Sequence, residues 1–225
     1  FSCKGQAIDP LVNANPDPQE SPTQAVVPGA EQLVQYIALL QNKRVGVVAN
    51  QTSILQHYTP SQVKASAASN NAMHLIDVLR AEGINVVRVF APEHGFRGQA
   101  DAGALLKDGL DPATQLPVMS LYGASKKPQP EHLTDIDVMV FDIQDVGARF
   151  YTYLSTLHYV MEACAEQDIP LIVLDRPNPN AHYIDGPILE LSQSSFVGLH
   201  PVPVVYGMTI GEYATMINGQ GWLKD

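Results

Sequence analysis

The sequence predicts a three-layer α/β fold around a mostly parallel sheet. Short continuous apolar runs recur at 44–49, 84–90, 136–141 and 170–174. Runs of that length without alternation suit strands buried on both faces. Stretches with apolar residues at helical spacing stand beside them at 31–41, 71–82 and 150–167. Alternation of the two implies crossover connections, and crossovers join parallel strands.

The first helix, 31–41, places Leu33, Tyr36, Ile37 and Leu40 on one face. Strand 44–49 ends in the polar cluster Asn50-Gln51-Thr52-Ser53. Helix 71–82 carries Met73, Ile76 and Leu79, and Gly83 stops it. Strand 84–90 follows, then a long polar connection through Glu93, Asp101 and Gly103 to Gln115. Connections that long in a compact domain are usually functional or disordered. A short strand is expected at 117–121 and a Gly/Pro/Lys loop at 122–130. Strand 136–141 leads into the longest helix, 150–167, whose stripe is Phe150, Tyr153, Leu154, Leu157, Met161 and Cys164. Strand 170–174 ends in Asp175-Arg176-Pro177-Asn178-Pro179. Beyond it, 183–191 and 201–205 look extended, with prolines that keep them off a central sheet position. Thr209-Ile210-Gly211-Glu212 is a capping box opening a last helix.

Composition narrows the function classes. The chain has 225 residues, 45% hydrophobic and 16% charged, which suits one large domain with a sizeable core. No apolar run approaches the ~18–20 residues that span a bilayer. A net charge of -10 argues against a nucleic-acid partner and against docking on anionic lipid. No G-x-G-x-x-G follows the first strand and no P-loop occurs, so no nucleotide cofactor is expected. Seven histidines show no H-E-x-x-H or comparable spacing, and no metal is expected. No G-x-S-x-G elbow points to an acyl-enzyme. Residues 1–29, rich in proline, read as a disordered tether, and 30–225 as the domain. Phe1-Ser2-Cys3 has the form of a lipoprotein scar with Cys3 as the acylated residue. Cys164 reads as a small buried hydrophobe.

Polar clusters gather just past three strands: Glu93, His94 and Arg97; Asp142, Asp145 and Arg149; Asp175, Arg176 and Asn178. Parallel strands point one way, so all three clusters should share the carboxyl edge of the sheet, where α/β folds bind ligands. Carboxylates with arginines and no phosphate loop suit a polar, uncharged or mildly anionic substrate such as a sugar. Glycoside hydrolysis needs a protonated carboxyl and a second carboxylate. Glu93 is the candidate acid, with Phe90 and Phe96 expected to desolvate it. Asp142 or Asp145 is the candidate partner, and helix capping near Arg149 is their competing role. Arg97, Arg149 and Arg176 are candidates to hold a substrate carboxylate, with ion pairing to nearby aspartates as the alternative. Tyr151 and Tyr153 are candidates to pack on a sugar ring, with core packing on its helix as the competing role for Tyr153. For the Glu93 turn itself, a surface turn with a salt bridge is the competing reading.

Five blocks resemble a known family in the same order. They are Val48-Ala49-Asn50-Gln51-Thr52, the run from Phe90-Ala91-Pro92-Glu93-His94 to Gly98, and the run from Phe141-Asp142 to Tyr153. The others are Asp175-Arg176-Pro177-Asn178-Pro179 and the run from Gly198-Leu199-His200 to Glu212. From about Arg44 onward the chain resembles the exo-β-N-acetylmuramidases of bacterial cell-wall turnover. The resemblance implies a Rossmann-like N-terminal domain, with a smaller C-terminal domain beginning where this sequence stops. It implies release of N-acetylmuramic acid from non-reducing ends of peptidoglycan fragments, and it places the family's proposed catalytic glutamate on Glu93. The lactyl carboxylate of that sugar would give an arginine something to hold. Catalysis is thus expected of Glu93 and Asp142, and substrate binding of Asn50, His94, Arg97, Asp145, Arg149, Tyr151, Asp175 and Arg176. The expected setting is extracytoplasmic, periplasmic or membrane-anchored. A non-catalytic domain that binds cell-wall sugar is the alternative, and a binding or transferase domain for another polar metabolite is a third.

Overall fold

The computed structural model describes residues 26–58, 72–97, 108–123 and 125–223. Cys3, most of the expected tether, and Gly98, Asp101 and Gly103 of the long connection lie outside the described residues.

Among the described residues eight strands form: β1 (Arg44–Ala49), β2 (Ile54–Leu55), β3 (Met73–His74), β4 (Asn85–Ala91), β5 (Gly109–Leu110), β6 (Pro117–Ser120), β7 (Val138–Asp142) and β8 (Leu171–Val173). Four α-helices accompany them in the described residues: α1 (Leu33–Leu40), α2 (Leu75–Ala81), α3 (Tyr153–Glu166) and α4 (Ile210–Gly219). The main sheet runs β5-β6-β4-β1-β7-β8. β6, β4, β1, β7 and β8 pair in parallel, and β5 joins the edge antiparallel. From β1 the chain builds outward through β4 to β6, then returns to build β7 and β8 on the other side. This is the Rossmann-like order, with its topological switch at β1.

The two faces of the sheet divide the core, as strand alternation requires. Val45, Val47, Val138 and Val140 face α1 and α2. Val48, Met139 and Phe141 face α3 and α4. Gly46 belongs to the second face, where a Cβ would lie 2.7 Å from Ile136 and 3.0 Å from Met139. Only glycine lets that layer close. Cys164 is buried in α3, and burial pushes its thiol up to about 12, so it behaves as a hydrophobe. The capping box of α4 forms as read, with Thr209 Oγ1 accepting from the Glu212 N–H.

Three expectations need correction. The helix expected over 71–82 starts only at Leu75, because Met73 and His74 pair antiparallel with Leu55 and Ile54. His74 then caps α2: its Nδ1 accepts from the Ile76 N–H, and its Nε2 donates to the Asn50 carbonyl at 2.9 Å. The longest helix starts at Tyr153, not Phe150, and Phe150 is exposed rather than on the buried stripe. The fold also already includes Gly29, whose N–H donates to the Asp175 carbonyl at 2.7 Å. The stretches 183–191 and 201–205 meet through the Asp185–Val205 bridge and a bond from the Leu189 N–H to the Val202 carbonyl at 3.1 Å, and form no longer ladder.

Candidate active site

Parallel pairing puts the ends of β1, β4, β7 and β8 on one edge. Most of the polar residues there are committed to one another. Asp142 is fully buried and accepts two bonds from Arg176, at 2.6 Å from Nε and 3.0 Å from Nη2. Burial pushes its carboxyl up and the guanidinium opposes that rise. Asp175 accepts from Thr209 Oγ1 at 2.6 Å and from the Gly211 N–H at 2.8 Å, so it docks the start of α4. A Cβ at Gly211 would fall 2.7 Å from the Asp175 carboxyl. Asp145 accepts from the Gly147 N–H and the Tyr206 hydroxyl, and burial pushes its carboxyl up. Asn50 accepts from the N–H and hydroxyl of Thr52, and Thr52 Oγ1 accepts in turn from the Gln144 N–H. The loops after β1, β7 and β8 are thereby laced into one platform.

Glu93 is different. It is half-buried on the wall of an open cavity of about 800 Å³, within the usual range for small-molecule sites. Thr152 Oγ1 donates to Glu93 Oε2 at 3.0 Å. The Tyr122 hydroxyl bonds the same carboxylate, which pushes the phenol up. Thr152 is the N-cap residue of α3, yet its side chain makes no cap bond. Its hydroxyl goes to Glu93 instead. His94 and Gly95 follow with φ of 70° and 79°. Two consecutive left-handed residues are costly for histidine, and they turn the chain sharply beneath the carboxylate. Phe150 and Tyr151, both exposed, line the cavity with ring centroids 5.6 Å apart. Tyr153 is buried at its inner wall; burial pushes its phenol up, and Asn50 opposes the rise.

Residues 45–225 match the family model described as exo-β-N-acetylmuramidase NamZ, N-terminal. This chain belongs to that family. The curated peptidoglycan β-N-acetylmuramidase NamZ of Bacillus subtilis (strain 168) is 46% identical over 188 residues, covering 83% of this chain and 42% of the relative. Two DUF1343 family proteins of Bacteroides fragilis NCTC 9343 have similar crystal structures, each 42% identical. One, solved at 1.30 Å, has a TM-score of 0.72 and covers 89% of this chain and 48% of its own. The other, solved at 1.65 Å, has a TM-score of 0.75 and covers 88% and 47%. The chain therefore spans less than half the length of each of these relatives.

Within this NamZ-family domain, the cavity gathers four of the residues expected from sequence: Glu93, His94, Tyr151 and Tyr153. The others stand elsewhere. Asp142 is sealed against Arg176 and cannot meet a substrate in this arrangement. Asp145 neither lines the cavity nor caps α3. Asn50 and Asp175 hold loops together. Arg97 is engaged by Asp111 at 2.9 Å through both Nε and Nη2, and by Asp77 at 3.3 Å. Arg149 donates to the carbonyls of Pro187 and Val202. Nor do the flanking phenylalanines jacket Glu93. Phe90 points into the core on the α3 side, and Phe96 packs edge-on to His74 at 4.7 Å.

Sequence reasoning missed Tyr122, Lys126, Thr152 and Phe196, all on the cavity wall. A signal existed for two of them. Tyr122 and Lys126 follow β6, and the carboxyl-edge argument applies to that strand as to the rest. Phe196 lies far along the chain in an irregular stretch with no such cue.

Proposed function

We propose that this chain is the Rossmann-like part of an exo-acting β-N-acetylmuramidase, which releases N-acetylmuramic acid from the non-reducing ends of peptidoglycan fragments. One observation carries the reading: Glu93 stands at the carboxyl edge of the sheet, on the wall of a cavity, with the Thr152 and Tyr122 hydroxyls bonded to its carboxylate. A carboxyl so placed can carry a proton to a glycosidic oxygen and take one back from water. The Phe150 and Tyr151 rings offer the apolar surface on which a pyranose ring packs. The name of the Bacillus subtilis relative supports the substrate class.

In this mechanism Glu93 gives its proton to the bridging oxygen as the bond from the anomeric carbon to that oxygen breaks. Water then adds to the anomeric carbon and its released proton restores the acid. Thr152 and Tyr122 hold the carboxylate through the cycle. The test uses the full-length protein and a synthetic aryl β-N-acetylmuraminide. Hydrolysis is expected, with a loss of at least about a thousandfold in Glu93→Gln.

A non-catalytic sugar-binding domain is the second reading. It is favoured by the fact that Glu93 is the one carboxylate among the described residues lining the cavity, whereas glycoside hydrolysis usually uses two. Saturable binding of the glycoside without turnover would select it. We also propose that the protein works outside the cytoplasm, where peptidoglycan lies, held by a lipid on Cys3 through the proline-rich residues that precede the fold. Intact mass of natively expressed protein tests this: a diacylglycerol adduct is expected, and an unmodified N-terminus refutes the anchor.

A further inference from the structure

We propose that Lys126 is the specificity residue of this cavity, pairing with the lactyl carboxylate that distinguishes a muramic-acid end from a glucosamine end. The inference rests on the reading of the site as a muramic-acid site. The three arginines suited to this task by sequence are engaged: Arg97 by Asp77 and Asp111, Arg149 by backbone carbonyls, and Arg176 by Asp142. Lys127 is engaged too, by Glu162 at 2.8 Å and Glu166 at 2.6 Å.

Its neighbour Lys126 is exposed and lines the same cavity as Glu93. No carboxylate of the described residues forms an ion pair with it. Its Nζ sits 4.5 Å from the centre of the Phe196 ring. That ring is itself stacked on Tyr159 of α3, at 6.1 Å and 14° between planes. An aromatic face holds an ammonium in place without cancelling its charge. The result is a positioned, uncompensated cation on the wall of a site in a protein of net charge -10. Overall charge of that sign repels an anionic sugar, so a local cation is what the substrate requires.

The test compares the full-length protein with Lys126→Met and Lys126→Arg on matched aryl β-N-acetylmuraminide and aryl β-N-acetylglucosaminide. The preference for the muraminide, as a ratio of kcat/KM, should fall about 10- to 100-fold in Lys126→Met. The loss should appear in KM for the muraminide alone, and Lys126→Arg should restore most of it. The methyl ester of the muraminide, which lacks the charge, should be handled alike by wild type and Lys126→Met. Equal loss on both glycosides, or an unchanged ratio, overturns the proposal. If the wild type hydrolyses neither glycoside, the enzymatic reading fails. Calorimetric binding of free N-acetylmuramic acid and N-acetylglucosamine then decides the role of Lys126. Selective weakening of the acid sugar in Lys126→Met supports it, and no selectivity refutes it.

Discussion

The ends of β4 and β7 occupy equivalent positions in the fold and put their carboxylates to opposite uses. Asp142, closing β7, is buried and neutralised by a two-pronged bond from Arg176. Glu93, just past β4, is half-buried on the cavity wall and accepts a bond from the Thr152 hydroxyl. An acid matched with a buried cation serves the scaffold. An acid on a cavity wall can meet a ligand. Position at the carboxyl edge admits a residue to the site, and its partner decides what it does there.

The sharpest way to break this contrast is to remove each acid and read both stability and turnover. Asp142→Ala strands the Arg176 guanidinium in the interior and should cost about 3–5 kcal/mol in urea unfolding. Glu93→Gln should change stability by no more than about 0.5 kcal/mol while turnover collapses. A folded, stable Asp142→Ala protein with no activity would reverse the assignment.

The buried imidazoles give the next largest effect. His200 Nε2 lies 3.0 Å from His158 Nδ1, and its Nδ1 is 3.1 Å from the Tyr213 hydroxyl, with Trp222 stacked at 4.5 Å. Burial, and then the neighbouring His158, hold His200 down to about 4 from 6.5. The unfolded chain therefore binds the extra proton first as pH falls. This contribution to stability is complete above pH 6.5 and is lost progressively down to pH 4, reaching about 3 kcal/mol. Urea midpoints across that range should show the slope in wild type and a flatter one in His200→Gln. Equal slopes would show that His200 does not titrate in this way.

Thr152→Val is the finest cut. The Thr152 side chain makes no cap bond in α3, so removing its hydroxyl should leave the melting temperature near wild type. Loss of the bond to Glu93 should lower kcat about tenfold with little change in KM. A fall in stability with kcat intact would return Thr152 to an ordinary structural role.

Much of the frame was legible because it is written in local pattern. The apolar run at 44–49 and the Thr209–Glu212 capping box each declare their structure within a few residues, and both form as read. Met73 and His74 show the limit, since their pairing with Ile54 and Leu55 overrides a helical pattern. Site membership was harder still. Arg176 reaches Asp142 across 34 positions, and Thr152 reaches Glu93 across 59. Nothing near Asp142 says that a distant arginine will neutralise it. Phe150 was misplaced for a related reason: it extends a helical stripe by one turn that the chain does not wind.

The missing side-chain cap on α3 has a consequence for what the cavity can attract. A helix of 14 residues gathers a partial positive charge at its beginning, and here that end lies beside Glu93 rather than under a capping oxygen. The cavity wall that bears Glu93 therefore also carries the electropositive start of a helix, a second source of attraction for an anionic or strongly polar ligand.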